Sequence, residues 1–234
     1  MQTKRRAQFR RAFLFLPQLR RRGYNQRMTQ TRRILWILFI LLIAVTAVVT
    51  FLGPAERTLG ANLRLVVLHG AWVWAGKAAF ALAGLVGLAG LLLAKRRPVL
   101  THWSLALGRT GLAFWLTYLP MSLLVMQLNW GGFFFDEPRW RVPFTFGVVA
   151  VLLQAGLAVL RIDWLSCAAN LAFGAALWVA LSGAVNVLHP DSPIFGGDSA
   201  RIQAFFLILL ALSLITGAVF TLLVKQGNRQ QPPA

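Results

Sequence analysis

Residues 110–135, TGLAFWLTYLPMSLLVMQLNWGGFFF, carry no charged side chain over 26 consecutive positions. A helix needs roughly 17–25 mostly apolar residues to cross a hydrocarbon core of about 30 Å. Because backbone groups in lipid must hydrogen-bond within their own segment, this run predicts a membrane-spanning helix. Five further charge-free runs of similar length are Ile34–Leu52, Ala78–Ala94, Val142–Leu160, Trp164–Pro190 and Ile202–Val224. We therefore predict an all-α integral membrane protein with six transmembrane helices.

The composition excludes several other classes of protein. Of 234 residues, 58% are hydrophobic and 13% are charged, with 24 Lys+Arg against 6 Asp+Glu and a net charge of +18. Soluble domains are usually about 45–50% apolar and about 25% charged, so an ordinary soluble fold is excluded. A nucleic-acid binder this basic would carry more charge overall, so we expect no nucleic-acid partner. The single cysteine, Cys167, excludes an internal disulfide and a cysteine-based zinc site. No nucleotide-binding loop or nucleophile motif occurs, and we expect no enzymatic activity.

The distribution of basic residues predicts the orientation. Basic clusters occur in the amino-terminal tail, at Lys95–Arg97 after the second predicted helix, and at Lys225 near the end of the chain. The alternate loops carry acidic and basic residues together. The positive-inside rule therefore places both termini in the cytoplasm and the three mixed loops outside. The predicted organisation is a basic cytoplasmic tail (1–33), a six-helix membrane domain (34–225) and a carboxy-terminal cytoplasmic tail (226–234).

The amino-terminal tail permits two interpretations. It is rich in Lys and Arg and contains the apolar patch Phe13–Leu16, which is too short for the core of a signal peptide. It is either a basic amphipathic segment lying on anionic lipid, or residues 1–27 are untranslated and the chain begins at Met28.

Two histidines are predicted at the same membrane depth. His69 lies in the sequence LHGAWVW at the outer mouth of the second predicted helix, and His189 lies in VLHPDSP at the outer mouth of the fifth. Two neutral imidazoles facing each other would supply both axial ligands of a haem iron. The alternative is two unrelated interfacial histidines. Position alone leaves both interpretations open.

The loop between the third and fourth predicted helices is the second candidate feature. Residues 129–140 are NWGGFFFDEPRW. Consecutive glycines would let the backbone lie against a flat ligand, the phenylalanine rings would offer apolar faces, and Arg139 and Arg141 would pair with propionates. The alternative is an aromatic belt that anchors helices at the interface. The candidate ligand-binding residues of this loop are Trp130, Gly131, Phe133, Phe134, Phe135, Asp136 and Arg139.

Lys77 and a group of glycines in the second predicted helix are the other notable features. Lys77 follows His69 by eight positions, about two helical turns, so the two residues share a helix face. The lysine either extends to the outer interface or pairs with a propionate. Gly84, Gly87 and Gly90 predict a close approach to another helix.

With these features in place, the chain resembles the haem-handling membrane proteins of cytochrome c biogenesis, specifically the six-helix CcmC type. That family carries an external histidine before the second helix, a tryptophan-rich segment between helices three and four, and an external histidine between helices five and six. His69, the segment Trp130–Arg139 and His189 stand at these places, and the resemblance covers roughly residues 65–224. Phe133–Phe135 replace the central tryptophans, and the aromatic-to-aspartate spacing is one residue shorter.

The resemblance implies a function and a location. It implies haem b as a transient cargo, with its iron held axially by His69 and His189 beside the aromatic loop. The haem would lie on the extracytoplasmic side of a prokaryotic plasma membrane. ABC-transporter subunits and a haem chaperone would be the partners, within the lipid bilayer.

The residues leave two alternatives to haem delivery open. A cytochrome b-type electron-transfer subunit would need histidine pairs buried within facing helices. The other alternative is a cofactor-free membrane subunit of a larger complex or transporter.

Overall fold

The computed structural model describes residues 29–184 and 194–228, and its described elements are helices with no strand among them. Six of these helices are long and apolar enough to cross a membrane, which confirms the prediction of an all-α membrane-type fold. They are α1 (Thr29–Phe51), α2 (Leu63–Leu92), α3 (Arg97–Trp130), α4 (Pro138–Leu160), α5 (Asp163–Ser182) and α6 (Ala200–Asn228). A short 3-10 helix, Ala94–Arg96, joins α2 to α3.

The bundle has two chemically different ends. We call the end formed by the turns at residues 93–97 and 161–162 the basic end, because both turns carry Arg or Lys. We call the opposite end, formed by residues 52–62 and 131–137, the loop end. At the loop end, the side chain of Asn62 donates a hydrogen bond to the carbonyl of Leu128, at 3.1 Å. The start of α2 and the end of α3 are therefore held together.

Two helices begin far ahead of the charge-free runs within them. Helix α2 begins at Leu63, 15 residues before its run, and α3 begins at Arg97, 13 residues before its run. Charged side chains therefore lie within helices, as Lys77 and Arg109 do. A charged residue interrupts a charge-free run without interrupting the helical backbone, so the runs understate helix length. Conversely, α5 ends at Ser182, before the end of its charge-free run.

Glycines bring α2 and α5 into close contact. A Cβ atom placed on Gly87 would lie 2.5 Å from the carbonyl oxygen of Cys167, and one on Gly84 would lie 3.3 Å from that of Asn170. On the facing helix, a Cβ atom on Gly174 would lie 3.1 Å from the carbonyl oxygen of Phe80. Spans in lipid associate through such small residues because the backbones can then approach closely. The prediction for the α2 glycines is confirmed.

A buried polar network connects the central helices. The side-chain amide of Gln154 on α4 donates to Oδ1 of Asn170 on α5, at 2.9 Å. Asn170 donates to Oγ of Ser104 on α3, at 2.9 Å, and Ser104 donates to the carbonyl of Ala83 on α2, at 2.9 Å. Buried polar groups that satisfy one another in this way fix the relative positions of the helices that carry them. Four helices therefore share one defined arrangement.

Helix α1 lies at the periphery of the bundle. Its Phe39 ring contacts Phe220 of α6 at a centroid distance of 5.4 Å. Only 6% of its most apolar stretch is buried inside the protein. Most of its surface is therefore available to lipid or to another protein.

Candidate functional site

His69 lies in the second turn of α2 and is held against α3. Its ring stacks on that of Tyr118, with centroids 4.9 Å apart and an angle of 22° between the planes. Tyr118 is only 4% exposed, and Nε2 of His69 is shielded from solvent. The imidazole is therefore positioned by aromatic packing inside the loop half of the bundle.

Tyr118 also connects this histidine to α4. Pro143 lies inside α4 and has no backbone N–H, so the carbonyl of Arg139, four residues earlier, loses its helical donor. The hydroxyl of Tyr118 donates to this carbonyl at 3.3 Å. One turn away on α3, the indole N–H of Trp115 donates to the carbonyl of Pro143, at 2.8 Å. These two bonds fix the first turns of α4 against α3, next to His69.

Two cations lie in the same part of the bundle. Arg139 is partly buried, its backbone carbonyl accepts the hydrogen bond from Tyr118, and its positive charge repels that of Lys77. Nζ of Lys77 lies 3.9 Å from the ring centroid of Trp74 and 4.5 Å from that of Trp178 on α5. We call His69, Lys77, Tyr118 and Arg139 the interior cluster. Its two positive charges repel one another, and a bound anion between them would offset that repulsion.

The position of Lys77 differs from the simplest sequence expectation. It is the fifteenth of 30 residues in α2, so it lies about 21 Å from the Leu63 end at 1.5 Å per residue. The ammonium group is accommodated between two indole rings, where cation–π attraction stabilises it. The signal in the sequence was Trp74, which precedes Lys77 by three residues and therefore lies on the same helix face. The contribution of Trp178 depends on tertiary packing.

The glycines of the aromatic loop have a conformational role. Gly131 ends α3 with φ of 70°, a left-handed conformation that favours glycine, and its N–H bonds to the carbonyl of Gln127 at 3.1 Å. Apart from its chain neighbours, no described residue has an atom within 4 Å of a Cβ built on Gly131. Among the described residues nothing packs on this glycine, and its left-handed conformation is what turns the chain.

The aromatic rings of the loop are largely at the surface. The exposed fractions are 41% for Trp130, 53% for Phe133, 41% for Phe134 and 54% for Phe135, and Asp136 is also exposed. Phe133 stacks on Phe135 with centroids 6.1 Å apart. The loop therefore presents an apolar surface beside the helix ends.

Trp140 links the aromatic loop to α4 and was missed as a site residue. It is 8% exposed, and its ring lies 5.1 Å from that of Phe135 and 5.0 Å from that of Phe144. Its buried indole N–H has no hydrogen-bond partner among the described residues. The sequence offered one signal, namely a tryptophan in the first turn of a helix that begins at Pro138.

The predicted site residues therefore converge only in part. His69 stacks on Tyr118, which donates a hydrogen bond to the carbonyl of Arg139 in the first turn of α4. The aromatic loop contacts the same turn, because the ring of Phe135 packs against that of Trp140. His189, the other predicted axial ligand, lies outside the described residues. Within the described ranges, no group of three or more His, Cys, Asp or Glu side chains could hold a metal ion.

The fold and this site define a helical, multi-pass membrane-type protein whose interior cluster extends from the loop end to the middle of α2. The chain matches no protein-family model, no curated protein and no solved structure.

Proposed function

We propose that this protein binds haem b as a transient cargo and delivers it for cytochrome c assembly. The observation that supports this proposal most is the connection of His69 to Arg139 through Tyr118, with Lys77 nearby. A nitrogen ligand and two cations are the types of group that the iron and the two propionates of a haem require.

The chemistry of the residues fits this cargo. The imidazole of His69 would bind the iron, and His189 would supply the second axial nitrogen. Arginine forms charge-assisted, two-pronged hydrogen bonds with carboxylates, which suits Arg139 for a propionate. The exposed rings of Phe133 and Phe135 would contact the porphyrin face. Because Nε2 of His69 is shielded, the proposal includes a movement of this side chain on haem capture.

The visible spectrum of the purified protein tests the ligand assignment. We would express the chain with a haem supply, purify it in detergent, and repeat this with His69→Ala and His189→Ala. His102→Ala is the matched control, because His102 is exposed on the first turns of α3, near the basic end. We expect a Soret band in the wild type and the control that is lost in the other two variants. A haem-free wild type that cannot be reconstituted would contradict the proposal, as would an unchanged spectrum in His69→Ala.

A second pair of variants tests the propionate assignment. Arg139 is partly buried within the interior cluster, whereas Arg141, which the sequence also suggested for a propionate, is exposed two residues later on α4. We therefore propose the propionate role for Arg139 alone. Arg139→Gln should weaken haem retention without changing the form of the spectrum, and Arg141→Gln should retain haem nearly as the wild type does. Haem dissociation to an excess of apomyoglobin measures both. Equal rates in the two variants would contradict the role of Arg139.

The proposed partners and location follow from the resemblance to the CcmC type. The protein would lie in the plasma membrane of a prokaryote, with both termini cytoplasmic and haem held on the extracytoplasmic side. ABC-transporter subunits and a haem chaperone would take part in transfer to the apocytochrome.

A second candidate function is a cofactor-free membrane subunit of a larger complex or transporter. The observation that favours it is the peripheral position of α1, whose most apolar stretch is only 6% buried. A helix with so much unburied apolar surface would fit a partner's transmembrane helix. The spectrum of the wild type separates the two functions, because this candidate requires no haem.

A further inference from the structure

A shallow cavity of about 390 Å³, largely open to its surroundings, lies at the loop end between α1, α2 and the end of α3. It lies on the side of α2 that faces α1, and no member of the interior cluster lines it. The lining residues are Ala47, Thr50, Phe51, Ala61, Asn62, Arg64, Leu65, Leu68 and Leu128. The cavity is therefore a separate feature of the bundle.

The polar groups that line this cavity differ in whether they have a hydrogen-bond partner. Asn62 donates to the carbonyl of Leu128, and the hydroxyl of Thr50 donates to the carbonyl of Thr46, at 2.7 Å. By contrast, Nε of Arg64 is buried and makes no hydrogen bond to any residue that the structure describes. Its guanidinium carbon lies 6.0 Å from the centroid of the Phe51 ring. A buried guanidinium nitrogen without an acceptor carries a desolvation cost that an anionic ligand would remove.

The rest of the lining is almost entirely apolar. Leu65, Leu68 and Leu128 form the wall on the bundle side, and Ala47 and Phe51 of α1 form the opposite wall. A small, fully hydrated anion would gain nothing from these side chains. A ligand with both an anionic group and a hydrocarbon chain would use the arginine and the apolar walls together.

We propose that this cavity binds a membrane phospholipid, with its phosphate on Arg64 and an acyl chain between α1 and α2. The guanidinium group matches phosphate geometry and presents its donors to two phosphate oxygens at once. Arg64 is the second residue of α2, so the site lies at the end of a span, where headgroups are found. The bound lipid would join the peripheral helix α1 to α2. This site is independent of the proposed haem function.

Native mass spectrometry of the detergent-purified protein tests this proposal. We expect one phospholipid to remain bound to the wild type after delipidating washes. Arg64→Gln should reduce the lipid-bound fraction about tenfold, the loss typical of a charge-assisted hydrogen bond. Arg57→Gln is the matched control, because Arg57 is an exposed arginine of the neighbouring loop and does not line the cavity. It should retain the lipid.

A third variant and a second ligand distinguish a lipid from a free anion. Ala47→Trp places a large ring in the acyl-chain path and leaves Arg64 unchanged, so it should also lose the lipid. Size-exclusion chromatography and circular dichroism check that each variant is folded. The proposal is overturned if the wild type carries no phospholipid or if Arg64→Gln retains it as well as Arg57→Gln. It is also overturned if inorganic phosphate alone binds as tightly as phospholipid and Ala47→Trp has no effect.

Discussion

Replacing Gly87 by alanine tests the closest contact between α2 and α5. The new Cβ would lie 2.5 Å from the carbonyl oxygen of Cys167 and 3.3 Å from its carbonyl carbon and Cα. These are backbone atoms, so no side-chain rotation relieves the overlap and the helices must separate. Overpacking of this kind costs about 1–3 kcal/mol, and rigid backbone neighbours place the cost near the upper limit. Alanine regains at most about 1 kcal/mol of helix propensity. We therefore expect Gly87→Ala to lower the free energy of unfolding by about 1–2 kcal/mol.

Gly156→Ala is the matched control for this substitution. Gly156 lies inside α4, and no residue outside its own helix that the structure describes comes within 4 Å of a Cβ built on it. The same chemical change should therefore leave stability unchanged or raise it by up to about 1 kcal/mol. Unfolding in mixed micelles by titration with sodium dodecyl sulfate, followed by circular dichroism, compares the two variants. If they unfold at the same detergent fraction, the α2–α5 contact is not as close as described, and our account of the core packing is wrong.

Three further predictions concern the site, the polar network and a loop. Tyr118→Phe keeps the aromatic stack but removes the hydroxyl that donates to the Arg139 carbonyl. It should lower the free energy of unfolding by about 1 kcal/mol in the same titration and increase the rate of haem loss. A wild-type unfolding free energy together with a wild-type rate of haem loss would contradict the proposed connection from His69 to Arg139. Asn170→Leu removes two interhelical hydrogen bonds and leaves the amide of Gln154 without its acceptor. We therefore expect the free energy of unfolding to fall by about 1–3 kcal/mol. A fall of less than a few tenths of a kcal/mol would contradict this role of the polar network. Hydrogen bonds from the backbone N–H groups of residues 59 and 58 lower the pKa of Glu56 below its ordinary value. The loop of residues 52–62 should therefore be stabilised at pH values above the unfolded-state pKa of Glu56, and it should lose this stabilisation as the pH falls through the folded-state pKa. Carbon-13 NMR of the Glu56 carboxyl group measures the folded-state pKa. An ordinary value for this pKa would contradict the prediction.

The number and type of helices could be predicted from the sequence, because long charge-free runs have few other physical solutions. The charge-free run alone does not give the start of α2, because Lys77 interrupts the run inside the helix. A lysine ended the charge-free run, but the indole of Trp178, about a hundred residues later, lies over its ammonium group in the folded chain. Such partners are set by tertiary packing and leave no local pattern.

Residue type alone points to His69 as a ligand and to Arg139 as an anion-binding group, and both roles stay predictions. The structure adds that His69 stacks on Tyr118 and that the backbone carbonyl of Arg139 accepts a hydrogen bond from the same tyrosine. Tyr118 itself was missed, although Pro143 gives a usable signal. A proline inside a helix frees the carbonyl four residues earlier, and a buried carbonyl needs a donor. Which side chain supplies that donor depends on how α3 packs on α4.

Titration of the purified wild-type protein with haem in detergent tests the central claim most directly. If the interior cluster receives haem as proposed, the Soret absorption should shift and saturate at one haem per chain, and His69→Ala should abolish the saturable phase. A linear increase without saturation in the wild type would contradict haem binding by this protein.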